Sequence, residues 1–306
     1  MSGPRLTGVE PIGTIAHYNL LEALERSGPG ELFRARDTVR GRTVIIRRLP
    51  LGFATREERS RIEEAARALS AISHPNVIRL FEVGDDQGRL FFVFEHLKGQ
   101  SLRNELGGHV LRVRRAVQLA VQIADAVADA HAAGYVHAGL SPESVVITAR
   151  GHAKIPAHEL ACRYGFDSGA TPPRLRDYPS PEEAAGQAAD ERSDVFSVGA
   201  MLYEMLTARR PGVRGAALPS AANSHVPKVL DDVTLRAVAP NPERRHPTAP
   251  ALVRDLRGVA ALLDKQGSGD DEELPHGSHM PKGTAIGVAV LVVAALAGLA
   301  WWFMRG

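Results

Sequence analysis

The hydrophobic pattern of the chain changes near Gly99, and this change is the strongest constraint on the fold. Before Gly99, short apolar runs alternate with turns, which is typical of antiparallel strands. After it, apolar residues recur at helical spacing over long stretches, as in 113–133 and 193–207. A strand-rich part followed by a helix-rich part predicts an α+β fold with two lobes.

The first part is expected to hold five strands and one helix. The strands are predicted for the runs YNLLEAL, ELFRAR, TVIIRRL, NVIRLFEVG and RLFFVFEHL. The helix is predicted over 55–71, where Ile62, Ala65, Ala66 and Leu69 have helical spacing. The second part is expected to be mainly helical, with two short strands in VVIT and AKI. Its most apolar helix is expected to begin near Ser193 or Asp194, and two later helices are predicted over 226–238 and 249–263.

The sequence also predicts how the chain is divided. We expect an N-terminal tail over 1–14, a folded domain over 15–263 and a flexible linker over 264–283, which is polar and rich in Gly and Pro. Residues 284–304 carry no charge, and about 20 apolar residues suffice for a helix to cross a bilayer. They predict a single transmembrane helix, and a buried core helix is the alternative.

Charge and cysteine content narrow the function classes. The formal net charge is only +2, so nucleic acid is not an expected partner. The single Cys162 suits a reducing compartment. Because the first residues lack the apolar run of an export signal, we expect the folded domain to lie in the cytoplasm, tethered to the inner membrane by the C-terminal helix.

Four passages together carry a specific resemblance. They are ISHPNVIRLFEVG at 72–84, FVFEHLKGQSL at 92–102, the run from YPSPEEAAG to ARRP at 178–211, and NPERRHPTA at 241–249. The chain resembles the bacterial branch of eukaryotic-like serine/threonine protein kinases over about 15–263. The resemblance implies a small, sheet-containing lobe and a mainly helical large lobe.

The resemblance also assigns positions to the kinase chemistry, which depends on positioning and charge neutralisation. The family's phosphate-binding lysine, its helix glutamate, its catalytic aspartate and its two metal ligands fall, in that order, on Arg47, Ala65, Gly139, Ser144 and Ala157. Only Gly30 remains of the glycine loop. Glu159 is the one candidate for an unconventional ligand. On these grounds no metal site is expected.

By contrast, the resemblance implies that residues which support the fold in this family are present in the chain. His137 is expected to be structural. Asp194 is expected to cap the backbone of the loop that begins at His137. Glu182 and Arg245 are expected to form an ion pair within the large lobe.

These observations together predict a pseudokinase, meaning a catalytically inactive, membrane-tethered domain that binds a protein such as an active kinase or a membrane complex. No cofactor is expected. One alternative is an atypical protein kinase of low activity that uses Arg47 and Glu159. Another is a nucleotide sensor without turnover, with weak, metal-independent binding in a hinge pocket at Phe94, Glu95 and Leu97.

Overall fold

The computed structural model describes residues 10–24, 30–53, 55–156, 178–212 and 215–266. Its strands are β1 (Gly13–Ile15), β2 (Tyr18–Leu24), β3 (Glu31–Asp37), β4 (Arg42–Arg48), β5 (Val77–Ile78), β6 (Leu80–Asp86), β7 (Arg89–Glu95), β8 (Gly99–Ser101), β9 (Val146–Thr148) and β10 (Ala153–Pro156). Its helices are α1 (Arg56–Ser70), α2 (Leu102–Leu106), α3 (Val113–Ala132), α4 (Pro181–Ala184), α5 (Glu191–Thr207), α6 (Pro219–Ala222), α7 (Lys228–Ala237) and α8 (Ala249–Gln266), with a 3₁₀ turn at Pro242–Arg244.

The small lobe contains a six-stranded sheet, so the expectation of five strands is wrong. The strand order is β1-β2-β3-β4-β7-β6, and every neighbouring pair is antiparallel. The missed strand, β1, has only three residues. It reaches β2 through a tight turn at Ala16, whose φ of +48° lies in the left-handed region. So short a strand leaves almost no alternation in the sequence.

The run NVIRLFEVG was predicted as one strand, but it is divided between two sheets. β5 pairs in parallel with β10, in a four-stranded sheet ordered β5-β10-β9-β8, whereas β6 pairs with β7. The chain changes sheets at Arg79. The sequence does not reveal such a change, because the apolar residues on either side of Arg79 are compatible with one continuous strand.

The two faces of the six-stranded sheet belong to different hydrophobic clusters. Phe33, Val44 and Ile46 belong to a cluster on the outer face. The opposite face packs toward α1 and belongs to a second cluster that continues into the large lobe, where it includes residues of α3 and α5. The inner face of the sheet therefore forms the roof of the space between the lobes.

Helix α5 is the centre of the large lobe. Every residue from Ser193 to Thr207 is buried, which explains why the run looked apolar without a polar face. The helix begins earlier than expected, because Asp190 is the N-cap and accepts hydrogen bonds from the backbone of Arg192 and Ser193.

The predicted two later helices correspond to α7 and α8. Between α5 and α7 the described residues form only the four-residue α6. The short helices α2 and α4 and the strand β8 were also absent from the prediction. The last described helix, α8, continues to Gln266.

None of the helices in the described part of the chain is both long and apolar enough to cross a membrane. The predicted transmembrane helix at 284–304 lies outside the described residues, as do most of the linker and the tail at 1–9.

Gly199 allows α5 to approach α7 closely, and this contact gives a prediction. A Cβ atom at Gly199 would lie 2.5 Å from the Cβ of Ala237. We expect Gly199→Ala to lower the free energy of unfolding by about 1–3 kcal/mol through overpacking. Urea unfolding would measure this change.

Gly258 of α8 provides the matched control, because a Cβ there would meet nothing within 4 Å. Gly258→Ala should be neutral or stabilising by about 0.4–1 kcal/mol, since it only reduces the entropy of the unfolded chain. Equal effects of the two substitutions would contradict the predicted packing.

Candidate active site

Arg47 lies on the roof of the space between the lobes. Val44 and Ile46 face the outer cluster, and alternation along β4 therefore places Arg47 on the inner face with Ile45. Arg47 is only 4% exposed, and its Nε makes no hydrogen bond within the described part of the chain. A buried guanidinium is costly unless an anion or acceptors compensate it.

Helix α1 gives Arg47 no ion pair among the described residues. The helix buries Ile62, Ala66 and Leu69, while Glu64 is exposed. The other nearby carboxylate, Glu63, lies 3.5 Å from Arg67 one turn along the same helix. Ala65, at the family's glutamate position, is part of α1, but the structure describes only its backbone.

The predicted hinge residues lie where β7 ends and the chain passes to β8. Phe94 is 3% exposed and belongs to the inner cluster. The N–H of Glu95 donates to the carbonyl of Arg79 at 2.9 Å. The backbone of Leu97 makes no hydrogen bond within the described residues, so it can accept or donate to a ligand. Sequence reasoning overlooked His96, whose pKa is lowered by burial and by the nearby charges of Arg34 and Lys98.

Asp194 holds the backbone of the loop that follows His137. Its carboxylate is fully buried and accepts hydrogen bonds from the N–H of His137 at 2.7 Å and of Ala138 at 2.6 Å. It also bonds to Nε2 of His131 at 2.8 Å. Ala138 has a φ of +47°, which is unfavourable for a residue with a Cβ. The carboxylate therefore stabilises a strained turn directly before Gly139. His137 is fully buried.

The described residues do not fit a magnesium site. Ser144 uses its hydroxyl within its own turn, where it donates to the carbonyl of Ser141 at 2.9 Å and accepts from the N–H of Ser141 at 3.2 Å. No group of three His, Cys, Asp or Glu side chains in the described ranges could hold a metal ion. Ala157 and Glu159 lie outside the described residues.

A cluster around Arg103 was not anticipated from the sequence. Arg103 of α2 donates to Glu143 at 2.6 Å, to Glu204 at 2.7 Å and to the hydroxyl of Tyr178 at 2.7 Å. Burial would raise the pKa of Glu143, but the hydrogen bond from Arg103 outweighs it and lowers that pKa. Glu143, the only carboxylate of the 137–144 loop, is therefore already bound within the chain. The sequence shows that Glu143 lies in this loop, but it does not show that Arg103 is its partner.

Gly30 has a packing role in addition to any role in a phosphate loop. Its φ is +93°, and a Cβ there would lie 2.2 Å from the carbonyl oxygen of Arg48. Residues 25–29, which hold the other positions of the family's glycine loop, lie outside the described residues.

Glu182 and Arg245 form a bidentate ion pair in the large lobe. The two guanidinium nitrogens Nη1 and Nη2 lie 2.7 Å from Oε1 and Oε2, respectively. Arg245 is 2% exposed and also donates to the carbonyls of Ala239 and Arg192. Burial opposes ionisation of Glu182, but the hydrogen bonds from Arg245 and Ser193 outweigh it and lower the pKa of Glu182 to about 2.

Comparison with known proteins identifies the family. Residues 18–256 match the family model described as "Protein kinase domain", and the chain belongs to this family. The chain is 31% identical over 281 residues to the serine/threonine-protein kinase pkn3 of Myxococcus xanthus, an alignment that covers 80% of this chain and 50% of that protein. It is 29% identical over 282 residues to a probable serine/threonine-protein kinase of Streptomyces coelicolor, covering 84% of this chain and 41% of that protein.

The fold matches solved kinase domains. The kinase domain of Mycobacterium tuberculosis PknI superposes with a TM-score of 0.65 at 20% identity and covers 84% of this chain and all of that domain. The two-lobed kinase fold is therefore confirmed, as is membership of the bacterial kinase family. The chain spans about half or less of the length of these two curated relatives.

The expectation of a catalytically inactive binding domain is corrected by these comparisons. The relatives are named serine/threonine-protein kinases, and the family match extends over both lobes, which points to an enzyme. The unusual residues at five aligned positions do not by themselves show that the chain is inactive. Residue identity alone does not show which groups carry out the reaction.

The ion pair between Glu182 and Arg245 gives a prediction about stability. Arg245→Ala should lower the free energy of unfolding by about 3–5 kcal/mol, because it strands a buried carboxylate. Arg192→Ala is the control, since its side chain pairs with Glu243, which is 77% exposed. Such surface pairs contribute about 0–1 kcal/mol.

The same pair should respond to pH. The folded-state pKa of Glu182 is depressed to about 2 from 4.5, so its contribution is present above about pH 4.5 and is lost as the pH falls toward 2. Urea unfolding across this range would show a smaller acid-dependent loss in Glu182→Gln. An unchanged acid dependence in that variant would contradict the assignment.

Proposed function

We propose that this chain transfers a phosphoryl group from a nucleotide to serine or threonine residues of a protein, the activity for which its relatives are named. The observation that carries the proposal is the buried guanidinium of Arg47 on the roof of the space between the lobes. A nucleotide phosphate would supply the anion that this side chain lacks. Arg binds phosphate through a planar, forked arrangement of donors.

Charge neutralisation and positioning are the contributions that the described residues can make. Phosphoryl transfer depends mainly on these two effects. Arg47 would neutralise the phosphates from above, while the backbone of Leu97, for which the described residues provide no hydrogen bond, would contact the base of the nucleotide. Asp194 fixes the backbone directly before Gly139, the position of the family's catalytic aspartate.

Because the described residues do not fit a magnesium site, we propose that nucleotide binding does not require a metal ion. Glu143 is bound to Arg103 and is not free to accept the substrate's proton. Glu159 is the carboxylate closest in sequence to the family's metal-binding position, and its substitution tests whether it takes part.

The activity can be measured by incubating the 306-residue chain with labelled ATP and a generic protein substrate. Phosphate should be incorporated into serine or threonine. Arg47→Met should weaken ATP binding about 10- to 100-fold, since it removes a charge-assisted contact, and Arg47→Lys should retain part of the affinity. Binding measured with a chelator present should be unchanged.

Arg36→Met is the control for this experiment, because Arg36 lies on the neighbouring strand β3 but is exposed. It should change neither binding nor transfer. No incorporation above the protein-free background by the unaltered chain would refute the proposed activity, whatever the binding result.

We also propose that residues 284–304 form a single membrane anchor and that the kinase domain lies in the cytoplasm. The support is the uncharged apolar run, with Trp301 and Trp302 where aromatic residues concentrate at membrane interfaces. The proposed macromolecular partner is a protein substrate. Nucleic acid is not proposed, because the net charge of +2 provides no strong attraction.

Fractionation tests the anchor. The full chain should sediment with membranes and be released by detergent but not by salt, whereas a chain ending at residue 266 should stay in the supernatant. Recovery of the full chain in the soluble fraction would refute the anchor. Digestion of the domain by protease added outside intact cells would refute the orientation.

A further inference from the structure

The inference concerns a basic surface formed by the start of α3 and the turns beside it. Residues 98–124 and 145–156 contain five arginines and two lysines but only one carboxylate, Glu105. Two of these cations, Arg103 and Lys154, bind carboxylates of other elements. The other five define the basic surface, which consists of Lys98, Arg112, Arg114, Arg115 and Arg150.

Backbone contacts bring the parts of the basic surface together. Nη1 of Arg115 donates to the carbonyl of Gly151 at 2.7 Å, which attaches the turn between β9 and β10 to the start of α3. The N–H of Ala149 in the same turn donates to the carbonyl of Lys98 at 3.0 Å. Nη2 of Arg115 also lies 2.9 Å from Glu105. This single carboxylate can neutralise only one of the five cations, so the surface carries a net positive charge.

Two cations of the basic surface make no ion pair within the described residues. Arg112 precedes α3 as its N-cap, Arg150 lies in the turn between β9 and β10, and both are exposed. Their guanidinium groups are therefore available to an anion. Exposed arginines are common on protein surfaces, so two further observations decide what this surface contacts.

The first observation is an exposed apolar side chain within the surface. The loop 107–112 connects α2 to α3, and its Val110 is 46% exposed. Gly107, with a φ of +53°, begins the loop, and the N–H of Leu111 donates to the carbonyl of Met205 at 2.7 Å. The loop is thus fixed on α5 while Val110 projects beside the cations. Apolar side chains next to Lys and Arg are typical of surfaces that bind the interface of anionic membranes.

The second observation is where the chain leaves the large lobe. Nη2 of Arg114 donates to the carbonyl of Leu263 at 3.0 Å, so the C-terminal part of α8 lies against the start of α3. Residues 267–283 lead from there to the proposed anchor. As a flexible linker they would span only about 23 Å on average. A compact domain of this size is about 45 Å wide, so the face at which the linker begins would stay near the bilayer.

We propose that the basic surface and Val110 contact anionic lipid headgroups of the membrane to which the chain is anchored. The inference rests on the proposed anchor and adds the chemistry of the membrane that the domain faces. Guanidinium groups bind phosphate oxygens through parallel donors. The attraction between an anionic leaflet and a cation falls off within a Debye length, so the linker has to keep this face close.

Hydrogen exchange of the full chain in lipid nanodiscs tests the proposal. One set of discs contains phosphatidylcholine alone, and the other contains phosphatidylglycerol as well. The amides of Leu111 and Gly151 donate to the carbonyls of Met205 and Thr148, and their exchange should be about tenfold slower in the anionic discs. Raising the salt from about 0.15 M to about 1 M shortens the Debye length from about 8 Å to about 3 Å and should abolish the difference.

Substitutions assign the effect to the basic surface. Arg112→Gln combined with Arg150→Gln should remove the tenfold difference between the two sets of discs, whereas lysine at both positions should keep most of it. Val110→Ser should weaken the protection in anionic discs without changing its dependence on salt. Arg56→Gln combined with Arg61→Gln is the matched control, because both residues are exposed on α1 and the net charge changes equally. This control should retain the full difference.

Unchanged exchange in the buried helix α5 would show that each variant is folded. Equal exchange in the two sets of discs, or an equal loss in the α1 control, would overturn the proposal. Inorganic phosphate added to neutral discs should have no effect, and protection by phosphate alone would overturn the assignment to lipid.

The anchor and the basic surface can fail separately. A chain that enters neutral discs but shows no effect of anionic lipid retains the anchor and overturns the basic surface. A chain that fails to enter neutral discs but binds anionic discs in a salt-dependent manner overturns the anchor and supports the basic surface. A chain that binds neither overturns both.

Discussion

The buried carboxylate of Asp194 is the interaction on which the functional part of the structure depends. It joins the central helix α5 to the end of α3, through His131, and to the loop at His137 and Ala138. Burying a charge without partners is costly, so the three donors are required for the fold rather than incidental to it. In return the carboxylate stabilises a left-handed residue that would otherwise disfavour this loop conformation.

Two buried arginines illustrate how differently charge is treated in this molecule. Arg245 is surrounded by a carboxylate and by backbone carbonyls, so its charge is fully used in holding the large lobe together. Arg47 is almost as deeply buried, but the described residues provide no hydrogen bond for its Nε. A buried charge that has partners, such as that of Arg245, is explained by its contribution to stability alone. A buried guanidinium whose Nε has no partner among the described residues is better explained by a bound anion, and this contrast supports the proposed nucleotide site.

The kinase family membership changes how the substituted positions are understood. Aligned residues describe the machinery that is usual in a family, whereas phosphoryl transfer requires charge neutralisation and placement that different groups can supply. Arg47 retains the positive charge of the usual lysine. Glu143, on the other hand, is occupied by Arg103, so its presence in the loop does not make it available for the reaction.

The sequence by itself determined the two-lobed α+β organisation, the long helices α3 and α5 and most strands of the small lobe, because these elements have strong, local hydrophobic periodicity. It also indicated the positions of Asp194, Glu182 and Arg245 through their resemblance to a known family. The same resemblance predicted that Asp194 contacts the loop at His137 and that Glu182 pairs with Arg245, and the structure contains both contacts. Strand β1 was too short to show a pattern, and the division of one apolar run between β5 and β6 depends on which neighbour each half meets.

The contacts at the hinge show most clearly what the sequence could not predict. Lys154 and Glu95 are separated by 59 residues, and neither lies in a pattern that predicts its partner. The same holds for Arg103, which meets Glu204 across 101 residues. Local periodicity follows from backbone geometry within a few residues, so the sequence can specify it directly. Pairing between distant side chains is decided only when packing brings their elements together, and for this reason only the tertiary structure revealed the contact between Lys154 and Glu95 and the occupied state of Glu143.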